Sequence, residues 1–183
     1  GVLALIAVAD TVRPSSAAAM EALRALGVTP VMLTGDNAAT AGAIAALAGI
    51  DEVKSNLLPQ DKLEAVAALQ ARYGFAAMAG DGINDAPALA QADIGFAMGA
   101  AGTHIAIEAA DVVIMNDDLM RIPETIALSR RTFRILRQNI ALALGIKAVF
   151  LVLTVAGNAT MWMAVFADMG TSLIVIANGL RLL

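Results

Sequence analysis

The chain has 183 residues, of which 59% are hydrophobic, and it carries 12 Lys and Arg against 16 Asp and Glu, a formal net charge of −4. This length suits about one medium domain, and the acidic balance argues against a nucleic-acid-binding surface. Cysteine is absent, which excludes disulfides and thiolate metal ligands within this sequence.

The sequence starts without Met, in the apolar run GVLALIAVAD, which lacks the charged region and cleavage site of a signal peptide. We therefore expect a fragment of a longer protein. Apolar runs then alternate with Ala-rich helical stretches up to about residue 120. Strands are predicted within residues 2–9, 29–34, 52–57, 75–80, 92–98 and 111–115, and helices over Pro14–Leu26, up to Ala48, and from Pro59. This alternation predicts βα units on a parallel sheet, whose ligands gather at the carboxyl ends of the strands.

The composition changes near residue 118. A basic amphipathic stretch, RIPETIALSRRTFRILRQN, leads into apolar residues 140–157, and a second apolar stretch covers residues 161–178. Each is close to the ~20 residues that a membrane-spanning helix needs. Arginines flank the outer ends of both stretches: Arg130, Arg131, Arg134, Arg137 and Arg181. A hairpin with both outer ends in the cytoplasm satisfies the positive-inside rule; the alternative is a pair of buried helices in a large soluble protein.

Acidic side chains follow the strand predicted within residues 75–80. Asp81 and Asp85 flank Gly82 in the string AGDGINDAPALA, and they would repel each other unless a cation lay between them. Oxygen ligands beside a glycine turn suit Mg²⁺, which is usually held by one or two carboxylates and a substrate phosphate. The alternative is that Asp81 and Asn84 only cap a turn and the following helix.

Anion-binding groups follow two other strands. Thr34, Gly35 and Asp36 end one apolar run and offer a hydroxyl and backbone N–H groups, and Lys62 lies in a helix that opens at Pro59. A lysine ammonium is a point charge suited to a phosphoryl oxygen. The sequence therefore predicts a combined phosphate and magnesium site at the ends of successive strands.

These motifs resemble the phosphorylation domain of P-type ATPases, members of the haloacid dehalogenase-like superfamily. The resemblance rests on TGDN at 34–37, the segment 59–62 and GDGINDAPAL at 80–89, and it covers the whole chain, with DTVRP at 10–14, GFAMG at 95–99 and NDDL at 116–119. It implies an α/β, Rossmann-like parallel sheet in residues 1–120, followed in residues 121–183 by a basic linker helix and the last two transmembrane helices. Gln60 departs from the family, which usually has an acidic residue there.

The resemblance also implies roles for individual residues. Asp81 would bind Mg²⁺ with support from Asn84 and Asp85. The phosphoryl group would be held by Thr34, Gly35, Asp36 and Lys62, and the candidates for binding ATP as cofactor are Asp10 and Arg13. The phosphate acceptor of the family lies in a DKTGT string, which does not occur here. We therefore expect this chain alone to be inactive, with the acceptor, the nucleotide-binding and actuator domains and the other membrane helices upstream.

Two charges lie inside the predicted spans. Lys147 and Asp168 are each about 10 residues from the turn near Asn158, so they differ in depth by only a few Å. They can pair, or Asp168 can bind a cation while Lys147 stands near; the alternative is a structural ion pair.

The sequence from Lys147 to the end resembles the zinc/cadmium/lead branch of heavy-metal P-type ATPases, in which a lysine and an aspartate occupy these positions. It implies Asp168 as a ligand of transported Zn²⁺, Cd²⁺ or Pb²⁺ and Lys147 as its counter-charge, in a multi-pass protein of a bacterial plasma membrane with a cytoplasmic phosphorylation domain. A copper pump is an alternative, but its Met-x-x-Ser-Ser string does not occur here. Two further alternatives are a membrane-anchored phosphatase of the same superfamily and a non-catalytic membrane-tethered binding module.

Overall fold

The structure is a computed structural model that describes residues 12–81, 83–99, 104–116, 118–158 and 160–182. The chain divides into two compact units on either side of the bond between Glu124 and Thr125. The first predicted strand, residues 2–9, lies outside the described residues.

The first unit alternates helices with short strands. Its helices are α1 (Pro14–Ala25), α2 (Ala38–Ala48), α3 (Pro59–Tyr73), α4 (Ala86–Gln91) and α5 (His104–Ala109), and its strands are β1 (Val31–Leu33), β2 (Glu52–Lys54), β3 (Ala77–Gly80), β4 (Ile94–Met98) and β5 (Val112–Ile114). A 3₁₀ turn, Ile83–Asp85, joins β3 to α4. The predicted alternation is confirmed, and α5 is an additional short helix that the sequence pattern does not predict.

All strand pairs among the described residues are parallel. β1 pairs with β2, placing Val31 opposite Glu52. β4 lies between β3 and β5, with Ala77 opposite Ile94 and Phe96 opposite Val112. The described residues thus form two parallel sheets, where the sequence predicts one. In both sheets the carboxyl ends of neighbouring strands lie side by side, which is where the predicted site residues follow.

The start of α3 is fixed by two local features. Pro59 occupies the first turn, where its missing N–H costs no hydrogen bond. The Asp61 carboxylate accepts a hydrogen bond from the Leu58 N–H at 2.8 Å, which satisfies an otherwise orphaned donor at the helix terminus. The helix ends at Gly74, whose φ of 78° is readily adopted only by glycine. Lys62 therefore has a defined place in the first turn of a well-capped helix.

The core cluster lies directly beneath the predicted site. It consists of Val66 from α3, Met78 from β3, and Ala88 and Leu89 from α4, with Leu33 of β1 packed against it. Val66 lies one helical turn beyond Lys62, and Leu89 lies four residues beyond Asp85. Burial of such a side chain stabilises the fold by about 1.5–3 kcal/mol. The packing that buries Val66 and Leu89 therefore also sets where Lys62 and Asp85 emerge.

A carboxylate joins α3 to the start of the three-stranded sheet. Asp93 accepts hydrogen bonds from the Ala76 N–H at 2.8 Å and the Gln70 side chain at 3.1 Å. The Ala76 N–H, and then Gln70, hold the pKa of Asp93 below its usual range. Because the folded-state pKa is lowered, the ionised group stabilises the fold above its unfolded pKa, and this contribution is lost as pH falls through the lowered pKa.

The second unit is a helical hairpin. α6 (Arg121–Val155) and α7 (Met161–Gly179) are followed by a 3₁₀ turn, Leu180–Leu182, and both helices are long and apolar enough to cross a membrane. The predicted basic stretch and the first predicted span form one continuous helix of 35 residues. No residue in the most apolar 18-residue part of α6 is buried. An apolar surface of this extent is favourable only against lipid or other apolar helices.

We expect Gly95→Ala to destabilise the first unit. A Cβ at Gly95 would lie 2.9 Å from the Leu89 carbonyl oxygen and 3.4 Å from the Ala110 Cα, whereas a Cβ at Gly42 in α2 would meet nothing within 4 Å. Overpacking against backbone should lower the free energy of unfolding by about 1–3 kcal/mol. Gly42→Ala should raise it by about 0.5–1 kcal/mol, because alanine favours the helix.

Both variants would be compared with the parent by urea unfolding in detergent, followed by circular dichroism. A Gly95→Ala protein as stable as the parent would show that the Leu89 carbonyl moves aside freely, and that the close approach of β4 to α4 is not a constraint.

Candidate functional site

The turn after β1 is held by the segment that follows β2. The Thr34 N–H donates to the Lys54 carbonyl at 3.0 Å, and the Leu57 N–H donates to the Thr34 carbonyl at 3.0 Å. The Asn56 N–H donates to the Asp36 carbonyl at 2.7 Å. These bonds continue the pairing of the two strands past their ends, so the backbone holds the turn in place. Since α3 begins at Pro59, two residues after Leu57, its first turn, which contains Lys62, follows directly in the chain.

Thr34 and Asp36 are joined through their side chains. The Thr34 hydroxyl donates to the Asp36 carboxylate at 3.0 Å, and its oxygen accepts from the Asp36 N–H at 3.1 Å. Gly35 between them is exposed, and a Cβ there would lie 3.2 Å from the Leu57 carbonyl oxygen. At the carboxyl end of β1, the turn therefore holds a hydroxyl that is hydrogen-bonded to a carboxylate.

Lys62 and Asp85 form the closest charged contact of the described residues in the first unit. The Lys62 Nζ lies 2.6 Å from the Asp85 Oδ1, and the two side chains are only 16% and 13% exposed. Lys62 comes from α3, and Asp85 comes from the 3₁₀ turn after β3. A charge-assisted hydrogen bond this well shielded from water is stronger than a surface ion pair.

Gly80 at the end of β3 makes room for Asp85. A Cβ at Gly80 would lie 2.8 Å from the Asp85 Cβ and 3.0 Å from its Oδ2. No ordinary Cβ contact is this short, so any larger residue at position 80 would displace the Asp85 carboxylate from Lys62. The glycine of the GDG string is thus required by packing.

Asp81 and Asn84 are both exposed; Asp81 directly follows β3, and Asn84 precedes Asp85 in the 3₁₀ turn. Within the described ranges 12–81, 83–99, 104–116, 118–158 and 160–182, no group of three or more His, Asp or Glu side chains is close enough to share a metal ion. The donor set here is two carboxylates and an amide, all oxygen ligands. This set fits Mg²⁺, which usually takes one or two protein carboxylates and completes its shell with water and phosphate oxygens. The Gly80 space brings one of them, Asp85, against the strand end.

Of the two candidates for ATP binding, Asp10 and Arg13, the structure describes only Arg13. Asp10 lies outside the described residues. Arg13 precedes α1 and is near Asp118, whose pKa is lowered chiefly by the Met120 N–H, then by Ser15, and also by the positive charges of Arg121 and Arg13. The ionised Asp118 carboxylate stabilises the fold above its unfolded pKa, through its contacts with Ser15 of α1 and with Met120. This contribution is lost as pH falls through the lowered pKa.

In the second unit, Lys147 of α6 faces Asp168 of α7. The Lys147 Nζ lies 4.0 Å from the Asp168 Oδ1, and the side chains are 68% and 72% exposed in this chain. The Ser172 hydroxyl donates to the Asp168 carbonyl at 3.0 Å. The contact is looser than that of Lys62 with Asp85, and it leaves most of the carboxylate accessible.

Sequence reasoning missed the segment 54–57 and the reason for Gly80. The segment carries one sequence signal, its asparagine, because asparagine tolerates a left-handed backbone better than other non-glycine residues. In the structure Asn56 has this conformation, with a φ of 56°. The packing at Gly80 had no sequence signal, because it depends on where Asp85 folds back.

Parallel strands that alternate with helices, with a lysine and carboxylates at the strand ends, define the α/β class of this unit. A family model for haloacid dehalogenase-like hydrolases matches residues 2–93, about half of the chain. The chain belongs to this family.

The chain is also similar over nearly its whole length to named metal-transporting ATPases. It is 51% identical to a probable cadmium-transporting ATPase of Listeria monocytogenes, covering 99% of this chain and 26% of that protein. It is 49% identical to a zinc/cadmium/lead-transporting P-type ATPase of Escherichia coli, covering 100% of this chain and 24% of that protein. The chain thus spans about a quarter of the length of these curated relatives.

Solved structures give the same picture. A crystal structure of a zinc-transporting PIB-type ATPase in the E2·Pi state matches with a TM-score of 0.88 and 48% identity, covering 95% of this chain and 28% of that chain. The catalytic domain of a CPx-ATPase matches with a TM-score of 0.56 and 33% identity, covering 62% of this chain and 45% of that chain. The resemblance to heavy-metal P-type ATPases is therefore confirmed, together with the α/β fold followed by a helical hairpin.

We expect the Lys62 and Asp85 substitutions to compensate each other in stability. Lys62→Met or Asp85→Leu alone leaves one shielded charge without its partner and should lower the free energy of unfolding by about 1–3 kcal/mol. The double variant removes both charges and should regain most of that loss. Urea unfolding of all four proteins gives the coupling.

The matched control is Arg24→Met with Asp51→Leu, a pair whose Nη2 and Oδ2 lie 3.2 Å apart but whose side chains are 40% and 95% exposed. Its coupling should be below about 1 kcal/mol. Equal coupling at the two pairs would mean that shielding from water does not strengthen the Lys62 contact.

Proposed function

We propose that this chain is part of an ATP-driven exporter of zinc, cadmium and lead ions that works through an aspartyl-phosphate. The observation that carries the proposal is the presence of two Lys–Asp pairs in one chain. One pair lies at the strand ends of a haloacid dehalogenase-like unit, and the other lies between two helices of membrane-spanning length. The relatives named as cadmium- and zinc-transporting ATPases support this assignment.

The proposal assigns the remaining parts of the pump to other segments of a longer protein. The relatives are about four times as long as this chain, and the DKTGT acceptor string does not occur in it. The phosphate acceptor, the nucleotide-binding and actuator domains and the other membrane helices would therefore lie outside these residues. On its own, this chain should not hydrolyse ATP.

On the phosphoryl side, Lys62 would neutralise the transferred group and Thr34 would donate a hydrogen bond to it. Asp85 holds the Lys62 ammonium at 2.6 Å, so the charge is fixed in place before the phosphoryl group arrives, and little reorganisation is needed. The Thr34 hydroxyl now donates to Asp36, and it would turn from that carboxylate to a phosphoryl oxygen. Gly35 keeps the turn open to such an anion.

The carboxylates of this site would hold Mg²⁺. Asp81 would be the main ligand, with Asp85 and Asn84 in support, since all three offer oxygen donors beside the end of β3. When bound, the ion would add positive charge opposite the phosphoryl oxygens. Asp10 and Arg13 are proposed to contribute to ATP binding.

The hairpin would cross the plasma membrane of a bacterium, with the first unit in the cytoplasm. Support comes from the arginines at the outer ends of α6 and α7, which the positive-inside rule assigns to the cytoplasmic side. The named relatives from bacteria support the choice of membrane.

Asp168 would bind the transported ion, and Lys147 would supply its counter-charge when the ion has left. A carboxylate oxygen is an acceptable ligand for Zn²⁺. A charge near the bilayer centre costs roughly 2.5–3.5 kcal/mol on insertion scales, which favours a functional reason for keeping both. The 4.0 Å separation of Lys147 from Asp168 allows the pair to open for an ion.

We expect Asp81→Asn, in a full-length pump that contains this chain, to abolish Mg²⁺-dependent phosphoenzyme formation from labelled ATP. The reason is that the amide cannot supply the negative charge that holds the ion. Lys62→Ala should cause a similar loss. Asp51→Asn is the control, since its carboxylate is an exposed surface group, and it should give normal levels. Normal phosphoenzyme in Asp81→Asn would remove Asp81 from the metal site.

We expect Asp168→Ala to abolish Zn²⁺-stimulated ATP hydrolysis while phosphorylation by inorganic phosphate survives. The cycle would lose the ligand that senses its cargo, whereas the phosphoryl site lies in the other unit. Lys147→Ala should reduce the stimulation, because it leaves a carboxylate without its counter-charge. ATPase activity would be measured against added Zn²⁺, Cd²⁺, Pb²⁺ and Cu⁺. Full Zn²⁺ stimulation in Asp168→Ala, or a parent that responds only to Cu⁺, would contradict the proposed cargo site.

A further inference from the structure

A polar contact joins α6 and α7 near the end of the hairpin that is away from its turn. The Asn178 side-chain amide donates to the Asn139 Oδ1 at 2.8 Å, and more weakly to the Gln138 Oε1 at 3.4 Å. Asn139 and Asn178 are both half-buried. We call this pair of asparagines the amide clasp.

Two arginines extend the amide clasp. The Arg181 Nη1 donates to the Asn178 Oδ1 at 3.0 Å, so both ends of the Asn178 amide are engaged. The Arg131 side chain donates to the Arg181 carbonyl, which lies in the 3₁₀ turn after α7. The Asn178 side chain is thus held in one orientation. Its amide N–H groups then meet their acceptors on α6 at one axial position, that of Gln138 and Asn139.

The amide clasp and the Lys147–Asp168 contact share one antiparallel register. Asn139 lies eight residues before Lys147, and Asn178 lies ten residues after Asp168. At 1.5 Å per residue these offsets are about 12 Å and 15 Å, so they agree to within about 3 Å. A slip of one helical turn, about 5.4 Å, would break the clasp and would carry Lys147 away from Asp168.

The remaining surface between the helices does not specify this register. Its groove is lined by apolar side chains such as Ile146, Phe150 and Phe166. In a bilayer, contacts of this kind discriminate poorly between registers, because lipid tails are equally apolar, whereas hydrogen bonds between helices do discriminate. The Lys147–Asp168 contact cannot fix the register either, if Asp168 exchanges Lys147 for a metal ion in each transport cycle. The amide clasp carries no net charge of its own and does not depend on that exchange.

We propose that Asn139 and Asn178 are positioning residues that fix the axial register of α6 against α7 and thereby hold Lys147 beside Asp168. The register itself follows from the contacts in the hairpin. The consequence for ion affinity rests on the proposed function, in which Asp168 is the cargo ligand.

The register is tested without metal, by pulsed electron-resonance distances between spin labels in the full-length pump. Labels would be attached at Leu144→Cys in α6 and Leu173→Cys in α7, both exposed in this hairpin, after removal of any cysteines outside this chain. Asn178→Leu should broaden or shift the distance distribution by up to about 5 Å, one helical turn. Asn139→Leu should act in the same direction, and Asn178→Gln, which keeps the amide, should restore the parent distribution.

Thr154→Val is the matched control, because the Thr154 hydroxyl bonds only within α6, to the Phe150 carbonyl at 2.7 Å. It should leave the distances unchanged. Parent-like distributions in Asn139→Leu and Asn178→Leu would overturn the proposal, and so would an equal change in Thr154→Val. If Asn178→Leu fails to fold, Asn139→Leu alone decides, because it leaves Asn178 bonded to Arg181.

The consequence for transport is tested by a double-substitution cycle on the Zn²⁺ concentration that half-saturates ATP hydrolysis. Loss of an interhelical hydrogen bond of this kind should raise that concentration roughly 3- to 20-fold in Asn178→Leu, with little change in maximal rate. In a Lys147→Ala background the same substitution should cause no further increase. Additive effects would mean that the asparagine does not act through Lys147.

The two tests separate failure of the inference from failure of the proposed function. If Asp168→Ala keeps full Zn²⁺ stimulation, the cargo role of Asp168 is wrong, yet the spin-label distances still decide whether the amide clasp sets the register. If the distances do not respond, the register proposal is wrong whatever the cargo.

Discussion

The contact between the Lys62 ammonium and the Asp85 carboxylate is the constraint on which the candidate site depends. Removing two charges from water costs several kcal/mol per ion unless each finds the other at close range, and here they meet at 2.6 Å. Val66 and Leu89, four residues beyond each of them, are buried in one cluster. The hydrophobic core and the ion pair therefore impose the same relative placement of α3 and the end of β3, and neither can shift without straining the other.

The second lysine–aspartate pair uses the same residue types for a different purpose. Lys147 and Asp168 are 4.0 Å apart and largely exposed in this chain, whereas Lys62 and Asp85 are shielded and much closer. Close pairing fixes a charge in place, which suits a group that must be ready before an anion arrives. Looser pairing leaves carboxylate oxygens available, which suits a group that exchanges its partner for an ion. Distance and burial thus separate the two roles.

Much of this architecture could be predicted from the sequence, because alternating apolar runs, the prolines and the GDG string are local signals. The strand ends, α3 from Pro59 and the two apolar helices all follow from them. The hold of segment 54–57 on Thr34, the space at Gly80 and the Asn139–Asn178 contact could not be predicted, since each joins segments distant in sequence. Periodicity shows which residues are buried, but it does not show which amides pair. The assigned roles of the site residues stay predictions.

The length of α6 gives the amide clasp its physical setting. Thirty-five residues extend for about 52 Å, whereas the hydrocarbon core of a bilayer is about 30 Å thick. If apolar residues from Ile140 onward occupy that core, Asn139 lies at its edge, and Lys147 lies about 12 Å deeper. At the edge of the core, desolvating the two amides costs little, and water competes little for the hydrogen bond between them. The amide clasp can therefore hold the register there. The deeper position, where charge is most costly, is left to the pair that the proposed transport requires.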